Sequence, residues 1–130
     1  MATKSWQKLY SDEENFIRSR LRALLSRLTA GDIQWIIFQS RLKPSIRFEI
    51  TFSTLRKLIN IIFIGRELNT CEEKDVLNLG ADRYIKNDVN NIIYCGSNSK
   101  IICDIIFYLM DKIFGLKYIK KINLKVSEGM

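Results

Sequence analysis

Hydrophobic and polar positions along this chain follow two periods. From Ile17 onward, Leu21, Leu24, Leu25 and Leu28 return at i+4, i+7, i+8 and i+11, which is one face of an α-helix. Arg18, Arg20, Arg22 and Arg27 lie off that face. Ser11 with Glu14 three residues on is a capping-box pattern, so the helix is predicted to open there, after a very short strand over Gln7–Tyr10. After a turn at Thr29-Ala30-Gly31-Asp32, Ile33–Phe38 is apolar, β-branched and aromatic, and predicts a strand. Ile46, Phe48, Ile50 and Phe52 then alternate with Arg47, Glu49 and Thr51, a period of two that predicts a strand pairing with the previous one around Leu42-Lys43-Pro44. Thr54–Leu58 reads as a helical turn.

The stretch Ile59–Lys86 is the most organised part of the chain. Its apolar run Ile59–Ile64, ending at Gly65, predicts a short strand buried on both faces, as in a parallel sheet. Glu67–Asp75 opens a helix that stops at Leu79-Gly80, where glycine can take the left-handed cap conformation. Asp82-Arg83-Tyr84-Ile85 starts another strand, so the unit reads β-α-β. Beyond the turn-rich Asn87–Asn91, Ile92–Cys95 is a strand candidate and Lys100–Phe114 a helix apolar nearly all round. Such a helix is either central or buried against a partner. Ile122, Leu124 and Val126 alternate with lysines and Asn123, which predicts a terminal strand.

Residues Ile59–Lys86 resemble the C-terminal half of a response-regulator receiver domain. The family places a small hydroxyl residue at the end of a strand, then a helix, then Gly-Ala-Asp-x-Tyr and a lysine. Here Gly65 stands at the hydroxyl position, Gly80-Ala81-Asp82-Arg83-Tyr84 is the second motif, and the lysine falls at Asn87 by strict count or at Lys86 with a one-residue slip. The segment from Ser11 resembles the family's acidic, Mg²⁺-holding segment and first helix, the acidic pair being Ser11-Asp12 or, one residue on, Asp12-Glu13. Gln39 stands where the resemblance puts the phosphoacceptor aspartate, and an amide cannot form an acyl phosphate. Phe48-Glu49-Ile50 resembles a helix start in the family, in conflict with the alternation that makes 45–52 a strand.

The resemblance implies an α/β fold, a flavodoxin-like parallel sheet flanked by helices, with one βα unit missing or rearranged. It implies one domain over 1–130, with 88–130 as a rearranged C-terminal extension. Ser11, Asp12, Glu13, Gln39, Gly65 and Lys86 would form a degenerate phosphoacceptor pocket. Tyr84, Ile102, Ile106 and Met110 would form an interaction face. The function implied is a non-catalytic, phosphorylation-independent regulatory domain acting by protein contact as a homodimer.

Composition adds one competing reading. The 130 residues carry a formal charge of +7, which invites a polyanion. Arg18, Arg22, Arg41, Lys43, Arg47, Lys120 and Lys121 are the candidate nucleic-acid contacts. The chain has no histidine, which removes the commonest general base, and it has no P-loop or GxSxG motif. Asp12 and Glu49 are candidate metal carboxylates but lie far apart in sequence, and a nuclease would use acids such as Asp32 and Glu49 with nearby Arg and Lys, which fits the basic charge but is not favoured. No enzyme activity, cofactor or metal is therefore expected. Cys71, Cys95 and Cys103 have no CxxC spacing and are expected to be small buried hydrophobes in a reducing, cytoplasmic setting. No apolar run reaches 18 residues, so no membrane span is expected.

Overall fold

The computed structural model describes residues 2–41, 43, 45–113 and 122–127, with side chains at 15–41, 43, 45–112 and 124–127. Three helices and six strands follow in the order α1 (Ala2–Ala30), β1 (Trp35–Ser40), β2 (Arg47–Ser53), β3 (Leu58–Ile64), α2 (Thr70–Leu79), β4 (Arg83–Asn87), β5 (Asn90–Cys95), α3 (Ser99–Tyr108) and β6 (Ile122–Val126). A π-helical turn, Leu109–Ile113, extends α3. The strands form one sheet in the order β4-β5-β3-β2-β1-β6.

Every pairing in that sheet is antiparallel. The flavodoxin-like parallel sheet implied by the receiver resemblance is therefore corrected. The local elements of the β-α-β unit are all present, but β5 inserts between its two strands. Because β5 runs antiparallel to both β3 and β4, those two strands share a direction without touching. The result is a split β-α-β. The alternation at 46–52 prevails over the helix start: β2 pairs with β1 in the register Phe38↔Phe48 and Ile36↔Ile50. Residues 54–57 form the β2–β3 hairpin turn, a single helix-type turn closed by the Lys57 N–H donating to Ser53 O at 2.7 Å, with Lys57 at φ 56°. The elements after residue 88 belong to the same sheet and core, with β5 inside the sheet and β6 at its edge.

Helix α1 begins at Ala2 and runs through Ser11, so no cap forms at Ser11 and no strand precedes it. Its C-terminus matches the predicted turn. Gly31 takes φ 87°, and the Asp32 N–H donates to Arg27 O at 2.9 Å, closing the helix with a six-to-one hydrogen bond.

Strand alternation decides the layers. Ile36 and Phe38 of β1, Phe48 and Ile50 of β2, Ile59, Ile61 and Phe63 of β3, and Ile93 and Cys95 of β5 share one parity, and all are buried. Leu21, Leu25 and Leu28 of α1, Val76 of α2, and Ile102, Ile105 and Ile106 of α3 close over that face in one cluster. The centre is aromatic. Phe38 stacks edge-on to Phe48 and Phe107, with centroids 6.3 and 5.9 Å away, and Phe48 meets Phe63 at 5.6 Å. The molecule is thus two layers, helices on one side of an antiparallel sheet.

Helix α2 docks on α3 through its stop. Gly80 takes φ 124°, and a Cβ there would lie 2.8 Å from Ile101 Cδ1 and 2.9 Å from Cγ2. Gly80→Ala combines a strained backbone with a clash and is expected to cost about 2 kcal/mol, measured by urea denaturation. Adding Ile101→Ala removes the clash and leaves the strain, so the two losses are expected to be less than additive.

Candidate functional site

The face of the sheet away from the helices is the surface most in need of explanation. Registers place its side chains in rows. One row runs Arg83, Tyr94, Asn60, Thr51, Trp35 across β4, β5, β3, β2 and β1. The next runs Ile85, Ile92, Ile62, Glu49, Ile37, Lys125 across all six strands. Leu58 and Ile64 extend the apolar part along β3, and Ile64 is 64% exposed. An antiparallel sheet with one solvated face normally alternates apolar inside with polar outside. Here β3, β4 and β5 place Ile62, Ile85 and Ile92 side by side on the uncovered side. Asn60 sits between Tyr94 and Thr51, and its Oδ1 is buried without a hydrogen-bond partner.

Sequence reasoning missed this face. Its signal was the apolar run at 59–64, broken only by Asn60. That run reads as a strand covered on both sides, and it led to the parallel-sheet expectation.

The proposed phosphoacceptor pocket is not assembled. Ser11, Asp12 and Glu13 lie within α1, and their side chains fall outside the described residues. Gln39 is on β1 opposite Arg47, on the helix-free face. Gly65 follows β3, and its carbonyl accepts from Asn91 Nδ2 at 3.3 Å. Lys86 is exposed on the edge strand β4. Among the described side chains, Gln39 on β1 and Lys86 on β4 come from separate elements of the sheet, as does the backbone of Gly65 after β3.

The proposed interaction face is also corrected. Ile102, Ile106 and Met110 are 0, 0 and 2% exposed and pack into the core, so they form no surface seam. Tyr84 points to the helix side, where it belongs to a polar lock. Its hydroxyl donates to Asn91 Oδ1 at 2.5 Å and accepts from the Leu68 N–H at 3.0 Å. Asn91, fully buried, donates in turn to the carbonyls of Phe63 and Gly65. Burial raises the Tyr84 pKa, which keeps the hydroxyl a donor. This network ties the β3–α2 loop to β4 and β5, a structural task.

Of the candidate nucleic-acid contacts, Arg18 is bonded to Asp104 at 2.7 Å and lies over the Phe107 ring at 4.5 Å. Arg22 Nε donates to Ser99 Oγ at 3.2 Å. Arg41, Lys43 and Arg47 are exposed around the β1–β2 connection. Lys120 and Lys121 lie outside the described residues. Cys95 and Cys103 are buried, and burial lifts their thiols to about 12 and about 11, as inert core side chains. Cys71 departs from expectation and is exposed on α2. Among the described residues, no helix is long and apolar enough to cross a membrane.

At the start of α2, Arg66 grips Glu72 through two bonds of 2.7 and 2.6 Å. Glu72 also accepts from the Asn69 N–H at 2.9 Å, while Asn69 Oδ1 accepts from the Glu72 N–H at 2.8 Å, completing a capping box. The Arg66 hydrogen bonds pull the Glu72 carboxyl from 4.5 down to about 2. A depressed carboxyl stabilises the fold fully above its ordinary value and loses that contribution as pH falls from 4.5 toward 2. The Arg66 side chain is 51% exposed, so solvent screening holds the pair below about 1 kcal/mol. Glu72→Gln keeps the capping box and drops the charge. Its stability deficit against the parent is expected at neutral pH and to vanish near pH 2, read from urea midpoints across that range.

No family model, curated protein or solved structure matches the chain.

Proposed function

We propose that this protein is a non-catalytic binding module that pairs with a second copy of itself through the helix-free face of its sheet and acts by protein contact. The observation that carries this reading is the row Ile85–Ile92–Ile62, apolar where an uncovered antiparallel face should be polar. Burying partly exposed isoleucines of this kind stabilises an interface through the area removed from water.

The dimensions suit a second copy. Six strands about 4.8 Å apart, each about 20 Å long, offer roughly 500 Å² per face, or about 1,000 Å² for two packed faces. That meets the roughly 1,000 Å² a specific interface needs and lies below the roughly 1,200–2,000 Å² of standard stable ones, so it suits a weak dimer. Sheets of this kind pack face to face about 10 Å apart. Polar groups surround the apolar patch: Arg83 on β4, Glu49 and Arg47 on β2, and Lys125 on β6. A charged rim around an apolar centre is the usual anatomy of a protein interface.

Light scattering on the purified protein is expected to give a dimer mass that high salt does not lower, since the patch is apolar. Ile62→Lys places a charge in its centre. Because Ile62 is only partly buried in the isolated chain, the variant is expected to keep its circular dichroism spectrum and to become a monomer. A parent protein that stays monomeric at all concentrations, or an Ile62→Lys dimer, overturns the reading. A mass that rises only when a short duplex is added at low salt moves the assignment to nucleic acid.

A further inference from the structure

The helix layer holds a second feature, on the opposite side of the molecule from the sheet face. A cleft of about 590 Å³ runs between the flank of α1 and the first turn of α3. Its α1 wall is made of small side chains, Ser19, Ala23 and Ser26, which leave room for a guest. Ser99 and Lys100 supply the α3 wall, and Cys103 lies at the base. The volume falls within the range of small-molecule sites.

The lining has a clear charge. Among the described residues it contains Arg22 and Lys100 and no acidic side chain. Arg18 also lines it, but Asp104 already neutralises that guanidinium. Arg22 is held in place from one side only. Its Nε donates to Ser99 Oγ, and among the described residues its two terminal nitrogens take no partner. Ser99 accepts that bond, so its own hydroxyl proton remains available. The amide groups at the start of α3 do not enter the argument, because the Asn98 side chain already accepts from the N–H groups of Lys100 and Ile101.

We infer that this cleft is a binding site for a small organic phosphate. Two cations and the hydroxyls of Ser19, Ser26 and Ser99 supply more donors than the two oxygens of a carboxylate can use. They suit the terminal oxygens of a phosphate monoester. A planar guanidinium fixed through Nε presents a fork to such a group. The remaining volume, between Ala23 and the base at Cys103, takes the organic part, which inorganic phosphate would leave unfilled.

The test is an amide-shift NMR titration of the full chain at fixed ionic strength with AMP, glucose 6-phosphate and inorganic phosphate as probes. At least one of the two esters is expected to give saturable shifts at Ser19–Ser26 and Ser99–Cys103. Inorganic phosphate is expected to bind the same amides roughly tenfold more weakly. Arg22→Gln and Lys100→Gln are each expected to weaken the ester roughly tenfold, and Ser26→Phe to abolish binding by filling the cleft. All three residues are exposed or partly exposed on their helices, and the solution mass is expected to stay that of the parent. The sheet-face reading therefore stands or falls separately. No saturable shift with either ester overturns the inference, as do shifts unaffected by both charge substitutions. Saturation by an oligonucleotide without any response to the esters overturns it too.

Discussion

The structure depends on one packing event, the closure of a leucine stripe and an apolar helix over a single face of an antiparallel sheet. Phe48 is at its centre, touching Phe38 and Phe63 across neighbouring strands, while Phe38 receives Phe107 from α3. These rings tie β1, β2, β3 and α3 together, and Leu21, Leu25 and Leu28 seal the same cluster from α1. Aromatic pairs of this edge-on kind add directional preference to the area they bury. Once that face is chosen, the period of two sends every other side chain to the far side of the sheet.

That consequence links packing to function. Burial can explain Ile36, Phe38, Ile50 and Ile61. It cannot explain Ile62, Ile85 and Ile92, which the same pleat directs away from the helices. Water-facing strands can use threonine at such positions with no loss of strand preference, and β2 carries Arg47 and Thr51 on this face. The isoleucines are therefore the feature on which the proposed interface rests. The polar atoms tell a complementary story. The Tyr84–Asn91 lock is almost closed on itself, so its strength goes into positioning the β3–α2 loop. In the α1–α3 cleft, the terminal nitrogens of Arg22 take no partner among the described residues and have room beside them.

Much of the local structure was legible in the residues. The helix face from Ile17 to Leu28, the alternating strand at 46–52, the stop at Gly80 and the terminal strand at 122–126 all rest on short-range rules of side-chain direction and backbone sterics. The start of α1 was not, because a good capping pattern at Ser11–Glu14 is also an ordinary stretch of helix when the chain before it continues the helix. The role of α3 was half legible. Its apolar composition says that it is buried, but periodicity is the same whether the cover is a sheet of its own chain or a partner, and Ile102, Ile106 and Met110 proved to face the core.

The sequence by itself determined which segments become strands and helices and which side chains share a face, because those follow from spacing along the chain. Only the tertiary structure decided how the strands are ordered. A strand, helix and strand at Leu58–Asn87 have the same local pattern whether the two strands touch in parallel or stand apart with β5 between them. The choice belongs to β5, whose antiparallel bonds to both neighbours form after the chain turns back at Asp88. Because the helices pack on the face of Ile61 and Ile93 alone, Ile62 and Ile92 are left on the other side, which no short-range pattern shows.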